Sequence, residues 1–230
     1  MDISERLKAV ASMVKTDIIA DIGTDHGYVP IYLLKNNIIK SAIACDINKG
    51  PLNKADINIR SYRLSDKIET RLGSGLIPIS KGEVKTSVIA GMGGMLIIDI
   101  LKSSMDVTES MEQLVLQPQL DIDKVRKYIH SIGFKIEDEK MVYEEGKFYN
   151  ILSCVPGKEK YLNERDYIFG KILIDKKDKT LRDFIIDKIK RLEIIIKSVQ
   201  NKNTENSRQR FQEASDERRL CMEVLECFEK

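Results

Sequence analysis

The sequence predicts an α/β fold, a mostly parallel seven-stranded sheet that ends in an antiparallel hairpin, followed by a helical C-terminal domain. Over about the first 155 residues, short apolar runs alternate with helical patterns, which is typical of parallel βαβ units. Two later strand patterns are joined only by Glu144–Gly146, and so short a link forces an antiparallel pair. After Pro156 the strand signals stop, so we predict domains at 1–156 and 157–230.

The first domain has seven strand patterns, and the first of them is a continuous apolar run that ends at glycines, as expected for a strand that is buried on both faces. The seven strands are predicted over 18–22, 42–46, 68–72, 87–90, 113–117, 134–143 and 147–155. Helices are predicted over 28–35, 51–63, 95–101 and 121–131. A short N-terminal helix is also predicted, because Ile3, Leu7, Val10 and Val14 share one helical face.

The C-terminal domain has the spacing of two antiparallel helices with a coiled-coil seam. The residues of the first seam are spaced 4, 3, 4 and 3 positions apart, and those of the second seam 3, 4, 3, 4 and 3 positions apart. A polar turn over 200–207 separates the two seams. The first seam comprises Ile185, Ile189, Leu192, Ile196 and Val199. The second comprises Phe211, Ala214, Arg218, Cys221, Leu225 and Phe228, with Arg218 interrupting the apolar series.

Composition excludes several classes of protein. The chain holds 38 Lys and Arg against 36 Asp and Glu, so a nucleic acid held by overall charge alone is disfavoured. No apolar run reaches the roughly 18 to 20 residues of a membrane span, and acidic residues stand where a signal peptide needs bases, so we expect a cytoplasmic protein with no membrane contact. The four cysteines include no C-x-x-C pair and there are only two histidines, so no metal site is expected.

Glycine-containing loops follow the first, third and fourth strands. The strongest is Asp21–Gly27, and the others hold Gly73–Gly75 and Gly91–Gly94. Since the carboxyl ends of parallel strands meet at one edge, where ligands bind in open α/β sheets, three such loops predict a cofactor lying across that edge. Asp25 stands where the dinucleotide fingerprint has its second glycine, and an acid there repels a pyrophosphate.

Asp46 ends the second strand, 23 residues after Gly23. A carboxylate at this place accepts hydrogen bonds from both hydroxyls of a ribose. The position fits NAD and S-adenosylmethionine equally, so on its own it predicts only an adenosine-like ligand.

Together, these features resemble the class I S-adenosylmethionine-dependent methyltransferases, a Rossmann-like fold. More closely, several motifs are similar to the TrmK family, which methylates N1 of adenine 22 in tRNA. These motifs are Ser4–Leu7, Ala20–Pro30, Lys49–Pro51, Ala90–Gly94 and Leu114–Pro118. The resemblance implies S-adenosylmethionine as the cofactor, no metal, and tRNA as the partner.

The resemblance also implies roles for individual residues. The target base would face the candidate catalytic residues Asp25, Tyr28 and Gln117, with Pro118 beside them, and Arg6 would meet the tRNA backbone or the pocket mouth. The cofactor would be bound by Asp21, Gly23, His26, Asp46, Ile47, Ser74, Gly91, Met92 and Gly93. Lys176 and Lys177 belong to a basic cluster that could clamp phosphates, since the region after Pro156 holds 18 basic and 15 acidic residues.

Alternatives remain open from the sequence. One is a methyltransferase that acts on another RNA site or on a small molecule. A second is a non-catalytic assembly or binding protein that uses the coiled coil. A third, an NAD-dependent oxidoreductase, is disfavoured by the missing glycine and the antiparallel hairpin. The oligomeric state is open between a monomer, which we prefer, and a coiled-coil dimer.

Overall fold

The computed structural model describes residues 1–202 and 204–229. The chain divides into two compact units, residues 1–160 and the region from Tyr161 onward. The sequence-based boundary lies a few residues earlier, after Pro156. Within the predicted turn over 200–207, Asn203 lies outside the described residues, as does the last residue of the predicted second domain.

The first unit is built on a seven-stranded sheet with the order β3-β2-β1-β4-β5-β7-β6. The pairs among β1 to β5 are parallel, whereas β7 is antiparallel to both β5 and β6. This confirms the predicted mixed sheet. The strands are β1 Ile18–Ile22, β2 Ser41–Asp46, β3 Ile68–Leu72, β4 Thr86–Met92, β5 Gln113–Pro118, β6 Phe134–Glu144 and β7 Lys147–Pro156.

Helices cover the sheet and bury its apolar strands. The central residues Ile19 and Val88 have no exposed surface, as the continuous apolar runs require. The helices of this unit are α1 Glu5–Ser12, α2 Tyr28–Lys35, α3 Lys49–Ser61, α4 Gly94–Ser103, α5 Met105–Thr108 and α6 Ile122–Ser131. The four-residue α5 was not predicted from the sequence.

The register brings the glycine-containing loops to one edge of the sheet. Asp21 of β1 pairs with Ala44, and Ile22 pairs with both Cys45 of β2 and Ile89 of β4, so the three strands end at nearly the same level. β4 extends beyond its predicted end, to Met92, with a register shift between Ala90 and Met92. The β6–β7 turn reaches the same edge because β7 runs antiparallel to β5.

The second unit is helical. Its helices are α7 Glu164–Phe169, α8 Lys171–Asp175, α9 Lys179–Val199 and α10 Glu205–Glu229. The Asp178 side chain caps α9 by accepting from the Leu181 N–H at 2.9 Å. Arg218, the interruption in the apolar series, pairs with Glu193 at 3.0 Å, and Lys188 pairs with Glu217 at 2.6 Å, which ties α9 to α10.

The apolar positions of α9 and α10 follow the predicted spacing only in part. Ile185, Leu192, Ala214 and Cys221 are buried. Phe211, by contrast, is 38% exposed, while Val224, outside the predicted series, is fully buried. Throughout the described ranges, no helix is both long enough and apolar enough to cross a membrane.

Candidate cofactor and base site

A cavity of about 1110 Å³ opens at the carboxyl edge of the sheet. The loops after β1 to β5 line it, together with residues 2–4, 6 and 7 and the β6–β7 turn. Ligand pockets for one small molecule usually hold roughly 300–1,000 Å³. The cavity therefore has room for a cofactor and for part of a second reactant.

The β1–α2 loop approaches its neighbours closely. The N–H groups of Gly23 and Thr24 both donate to the Cys45 carbonyl, at 2.9 and 2.8 Å, which fixes the loop against β2. Gly23 has a φ of +74°, and a Cβ there would lie 2.1 Å from Cε of Met92. The backbone conformation therefore favours glycine, whereas the end of the flexible Met92 side chain could move away from a Cβ.

Two carboxylates lie at the ends of β1 and β2. Asp21 is 6% exposed, and its Oδ2 accepts from the Thr24 hydroxyl at 2.7 Å. Burial raises the pKa of Asp21 to about 6, and the negative charge of Asp46 adds to the rise, while the Thr24 hydrogen bond opposes it. Asp46 is 8% exposed, and its Oδ1 accepts from the Asn48 N–H at 2.7 Å, which leaves Oδ2 available.

The charges of the lining decide which ligands fit. Six carboxylates line the cavity, and Arg6 is the one cationic side chain among the described lining residues. Such a lining repels a pyrophosphate and suits the cationic sulfonium and amino groups of S-adenosylmethionine. The six are Asp2, Asp21, Asp25, Asp46, Glu144 and Glu145.

The loops after β2, β3 and β4 bring most of the remaining predicted cofactor residues to this cavity. Ile47, Ser74, Gly91 and Met92 line it. Gly91 has a φ of +81°, a conformation that favours glycine. Gly93 does not line the cavity, and a Cβ built there would meet nothing within 4 Å.

The predicted base-facing residues of the first loop lie at the cavity mouth. Asp25 and Tyr28 both line the cavity and are exposed. His26 stacks on Tyr28, with ring centroids 5.1 Å apart and planes 7° apart, and its Nε2 lies 3.4 Å from Oδ1 of Asp25. His26 itself does not line the cavity, and its carbonyl accepts from the Asn58 side chain at 2.9 Å.

The structure does not bring Gln117 into the cavity. Gln117 is fully buried, its Oε1 accepts from Nη1 of Arg6 at 2.9 Å, and its Nε2 donates to the Pro118 carbonyl at 3.2 Å. Both ends of the amide are therefore engaged. Pro118 is buried beside Met92 and does not line the cavity either. Arg6 does line it, with its guanidinium 5.5 Å from the ring centroid of Tyr149.

Several lining residues were missed from the sequence. Glu144 and Glu145 lie at the tip of the hairpin, and Oε1 of Glu144 accepts from the Glu5 N–H at 2.6 Å, which joins the tip to the start of α1. A signal for the tip was present, because a strand antiparallel to β5 must turn at the carboxyl edge of the sheet. The other missed residues are Asp2, Ile3, Asn48, Leu96, Ile100 and Gln119.

The remaining predicted residues, Lys176 and Lys177, belong to the second unit. Both are exposed and follow the end of α8. Among residues 1–202 and 204–229, no three or more His, Cys, Asp and Glu side chains are grouped so that they could hold a metal ion.

Comparisons with known proteins show the family of the chain. The sequence profile of TrmK, described as tRNA (adenine(22)-N(1))-methyltransferase, matches residues 19–219. The tRNA (adenine(22)-N(1))-methyltransferase of Bacillus subtilis is 30% identical over 98% of this chain and 98% of its own length.

Two solved structures with bound ligands are also similar. Streptococcus pneumoniae Sp1610 in complex with S-adenosyl-L-methionine has a TM-score of 0.87 at 34% identity, covering 97% of this chain and 100% of its own. TrmK of M. capricolum in complex with S-adenosyl-homocysteine has a TM-score of 0.84 at 28% identity, covering 98% and 99%. A profile match over most of the chain, with structural likeness along nearly its whole length, means that this protein belongs to the TrmK family of S-adenosylmethionine-dependent methyltransferases.

Proposed function

We propose that this protein transfers the methyl group of S-adenosylmethionine to N1 of adenine 22 in tRNA. The observation that carries the proposal is the family match over residues 19–219, in a chain whose predicted cofactor residues largely line one cavity. The acidic lining supports a cationic cofactor, and the volume supports a second reactant beside it. The protein is proposed to act in the cytoplasm as a monomer.

The proposed cofactor contacts follow from the cavity geometry. The free Oδ2 of Asp46 would accept from the ribose hydroxyls, with Ile47 against the adenine ring and Ser74 near its amino group. Asp21 would pair with the amino group of the methionine part, close to the backbone of Gly23. Gly91 and Met92 would form the floor below the methyl group. When bound, S-adenosylmethionine supplies an electrophilic methyl group on its sulfonium sulfur.

The transfer to adenine needs little acid–base chemistry from the chain. The N1 lone pair of the substrate adenine forms the new N–C bond while the S–C bonding pair leaves with sulfur, so N1 loses no proton. The chain therefore has mainly to align the base and exclude water. As N1 becomes cationic, the N6 amino group grows more acidic, and the exposed Asp25 carboxylate would accept a hydrogen bond from it.

The remaining residues of the first unit would position the base. Tyr28, stacked on His26, would present a ring face to the base or its neighbour. Gln117 is proposed to act as a positioning residue rather than a catalytic one, because its buried amide holds the Arg6 guanidinium at the cavity. Arg6 would then neutralise the phosphate of the nucleotide that enters an otherwise acidic mouth.

The second unit is proposed to hold the tRNA backbone through Lys176 and Lys177. Replacing both by alanine should raise the Michaelis constant for tRNA and make tRNA binding less dependent on salt concentration. The reason is that fewer counterions are released from the RNA when fewer phosphates are contacted. The affinity for S-adenosylmethionine should stay unchanged. Unaltered use of tRNA would remove these lysines from the proposal.

The direct test is transfer of an isotopically labelled methyl group from S-adenosylmethionine to unmodified tRNA. We expect label in wild-type tRNA and none in a transcript with guanine in place of adenine 22. Label in both transcripts would mean that another site is modified.

A variant of Asp46 tests its proposed contact with the cofactor ribose. Asp46→Ala should weaken S-adenosylmethionine binding by about 2–3 kcal/mol, because a charge-assisted pair of hydrogen bonds is lost. Asp56→Ala, on α3 and paired only at the surface with Arg60, is the matched control. Unchanged affinity in Asp46→Ala would refute the ribose contact.

A further inference from the structure

The segment 119–121, between β5 and α6, lies beside the cavity, since Gln119 lines it. Its middle residue, Leu120, is 68% exposed. A single exposed leucine is ordinary on a protein surface. Its meaning here comes from how the backbone holds it and from what lies next to it.

Backbone bonds fix Leu120 from both sides. The Gln119 N–H donates to the Met92 carbonyl at 2.8 Å, and the Leu120 carbonyl accepts from the Gly94 N–H at 2.9 Å. Asp121 has a φ of +54°, a left-handed conformation that residues other than glycine rarely adopt. The leucine side chain is therefore presented to solvent from a firmly held backbone.

Gly94 makes this arrangement possible. A Cβ on Gly94 would lie 2.4 Å from the carbonyl oxygen of Leu120 and 2.8 Å from that of Asp121. The last glycine of the Gly91–Gly94 run thus serves the 119–121 segment, while Gly91 lines the cavity. The glycine run after β4 therefore both lines the cavity and allows the backbone of Leu120 to pack closely against Gly94.

Two exposed apolar residues adjoin the segment, and Asp121 within it pairs with Lys124 at 2.7 Å. Met95 and Leu96 follow Gly94 directly in the first turn of α4, and they are 46% and 52% exposed. Leu96 also lines the cavity. An exposed apolar edge at the mouth of an otherwise acidic cavity is suited to contact base faces rather than phosphates.

The chemistry of the substrate supplies the remaining step. N1 of adenine lies on the Watson–Crick edge, so the base must leave its pair and its stack before N1 can reach a cofactor in the cavity. Proteins that open base steps commonly insert an apolar side chain between the bases. The gap that the base leaves is flat and apolar. An apolar side chain can enter it without the desolvation cost that a charged side chain would have.

We infer that Leu120 is the side chain that enters the base stack of the RNA when the target adenine moves into the cavity. This inference rests on the proposed function and adds how the base is exposed. Leu120 is a positioning residue in this account, since it touches the RNA stack and not the reacting atoms.

The test compares two RNAs. One is unmodified tRNA, and in the other the nucleotide that faces adenine 22 is replaced by an abasic residue, so that opening costs less. Leu120→Ala should lower kcat/KM about tenfold or more on the first RNA and less than about threefold on the second. Leu120→Met should retain most of the rate on both, and the S-adenosylmethionine affinity should be unchanged in each variant.

Ile57→Ala is the matched control, because Ile57 is an apolar residue of α3 that is 65% exposed and does not line the cavity. It should match the wild type on both RNAs. A second readout uses 2-aminopurine in place of adenine 22: its fluorescence should rise on binding to the wild type and rise much less with Leu120→Ala.

Equal losses on both RNAs, or no loss on either, would overturn the inference while the wild type still methylates adenine 22. If the wild type transfers no methyl group to adenine 22 in either RNA, the proposed function fails and the inference falls with it. The two failures are distinguished by the wild-type reaction alone.

Discussion

The Arg6 guanidinium and the buried Gln117 amide are joined by a hydrogen bond of 2.9 Å across 111 positions of the chain. This contact fixes the only cationic side chain among the described residues of the cavity lining. The other end of the amide donates to the Pro118 carbonyl, so its orientation is set from both sides.

Removing either partner should therefore have related effects. Gln117→Ala should lower kcat/KM for tRNA about tenfold, since a hydrogen bond to a charged group contributes about 1.5–3 kcal/mol. Arg6→Ala should lower it at least as much, and the double variant should be no worse than Arg6→Ala, because both act through one group. Steady-state kinetics, together with S-adenosylmethionine affinity and thermal stability, measure this.

Lys8→Ala supplies the control for the Arg6 variant on the same helix, because Lys8 pairs at the surface with Asp2 and Glu5. Its kinetics should equal those of the wild type. Multiplicative losses in the double variant would mean that Gln117 does not act through Arg6.

Asp21 should make cofactor binding depend on pH. Its pKa is raised to about 6 by burial, and the amino group of the cofactor is proposed to pair with the ionised form. S-adenosylmethionine affinity should therefore fall as the pH is lowered through about 6, and Asp21→Asn should bind weakly with little pH dependence in that range. Calorimetric titrations at pH 5 to 8 test this, and a wild-type affinity that does not change over this range would contradict it.

The raised pKa of Asp21 should also make the folding stability depend on pH. Because the folded pKa of Asp21 lies above the ordinary value of 3.8, the ionised form is disfavoured in the folded state. The ligand-free protein should lose stability as the pH rises from about 4 to 6, by about 3 kcal/mol at most, and Asp21→Asn should remove that loss. Urea unfolding across this range measures it.

Asp17 should affect the pH dependence of stability in the opposite direction to Asp21. Hydrogen bonds from Lys40 and Lys85 lower the pKa of Asp17 to about 2, so its contribution is present above pH 4 and is lost as the pH falls through about 2. Asp17→Asn should therefore be less stable than the wild type at neutral pH. If Asp17→Asn and Asp21→Asn shifted stability in the same direction at pH 7, this electrostatic account would be wrong.

Two adjacent glycines should respond differently to the same change. Gly94→Ala should lower the free energy of unfolding by about 1–3 kcal/mol, because the new Cβ would collide with the backbone oxygens of Leu120 and Asp121. Gly93→Ala should fold like the wild type, since its Cβ meets nothing within 4 Å. Chemical denaturation of the two variants tests whether the 119–121 backbone packs closely against Gly94. Equal stability of the two variants would contradict this packing.

Removing one partner of a buried ion pair should destabilise the hairpin side of the sheet. Arg126 and Glu139 have fully buried side chains 2.7 Å apart, and Arg126 also donates to Asn150 at 3.3 Å. Glu139→Ala should lower the free energy of unfolding by about 3–5 kcal/mol, because it leaves a buried guanidinium short of its carboxylate. Glu137→Ala, which removes a surface partner of Lys15 on the same strand, should cost less than about 1 kcal/mol.

The inner strands β1, β2 and β5 could be predicted because strands that are buried on both faces have largely apolar sequences. The hairpin followed from the length of its link. Short elements such as α5 and α8 escaped, because four or five residues hold no full period of apolar spacing.

The cavity was predictable where it is built from strand ends and the loops that directly follow them, as with Asp21, Gly23, Asp46 and Ser74. Its other wall depends on packing between distant parts of the chain. The contact between Glu5 and Glu144 spans 139 positions, and no local pattern encodes it. The engaged amide of Gln117 is a feature of the same kind, since the motif around it does not reveal which way its side chain lies.

The central claim is tested most directly by mapping the methyl group on the product RNA. Unmodified tRNA incubated with the protein and S-adenosylmethionine would be digested to nucleosides, and the modified position would be located by primer extension, which stops at a base methylated on its Watson–Crick edge. The account predicts 1-methyladenosine, with the stop at position 22 and nowhere else. A methyl group on another atom or at another position, or no transfer by folded protein that binds S-adenosylmethionine, would contradict it.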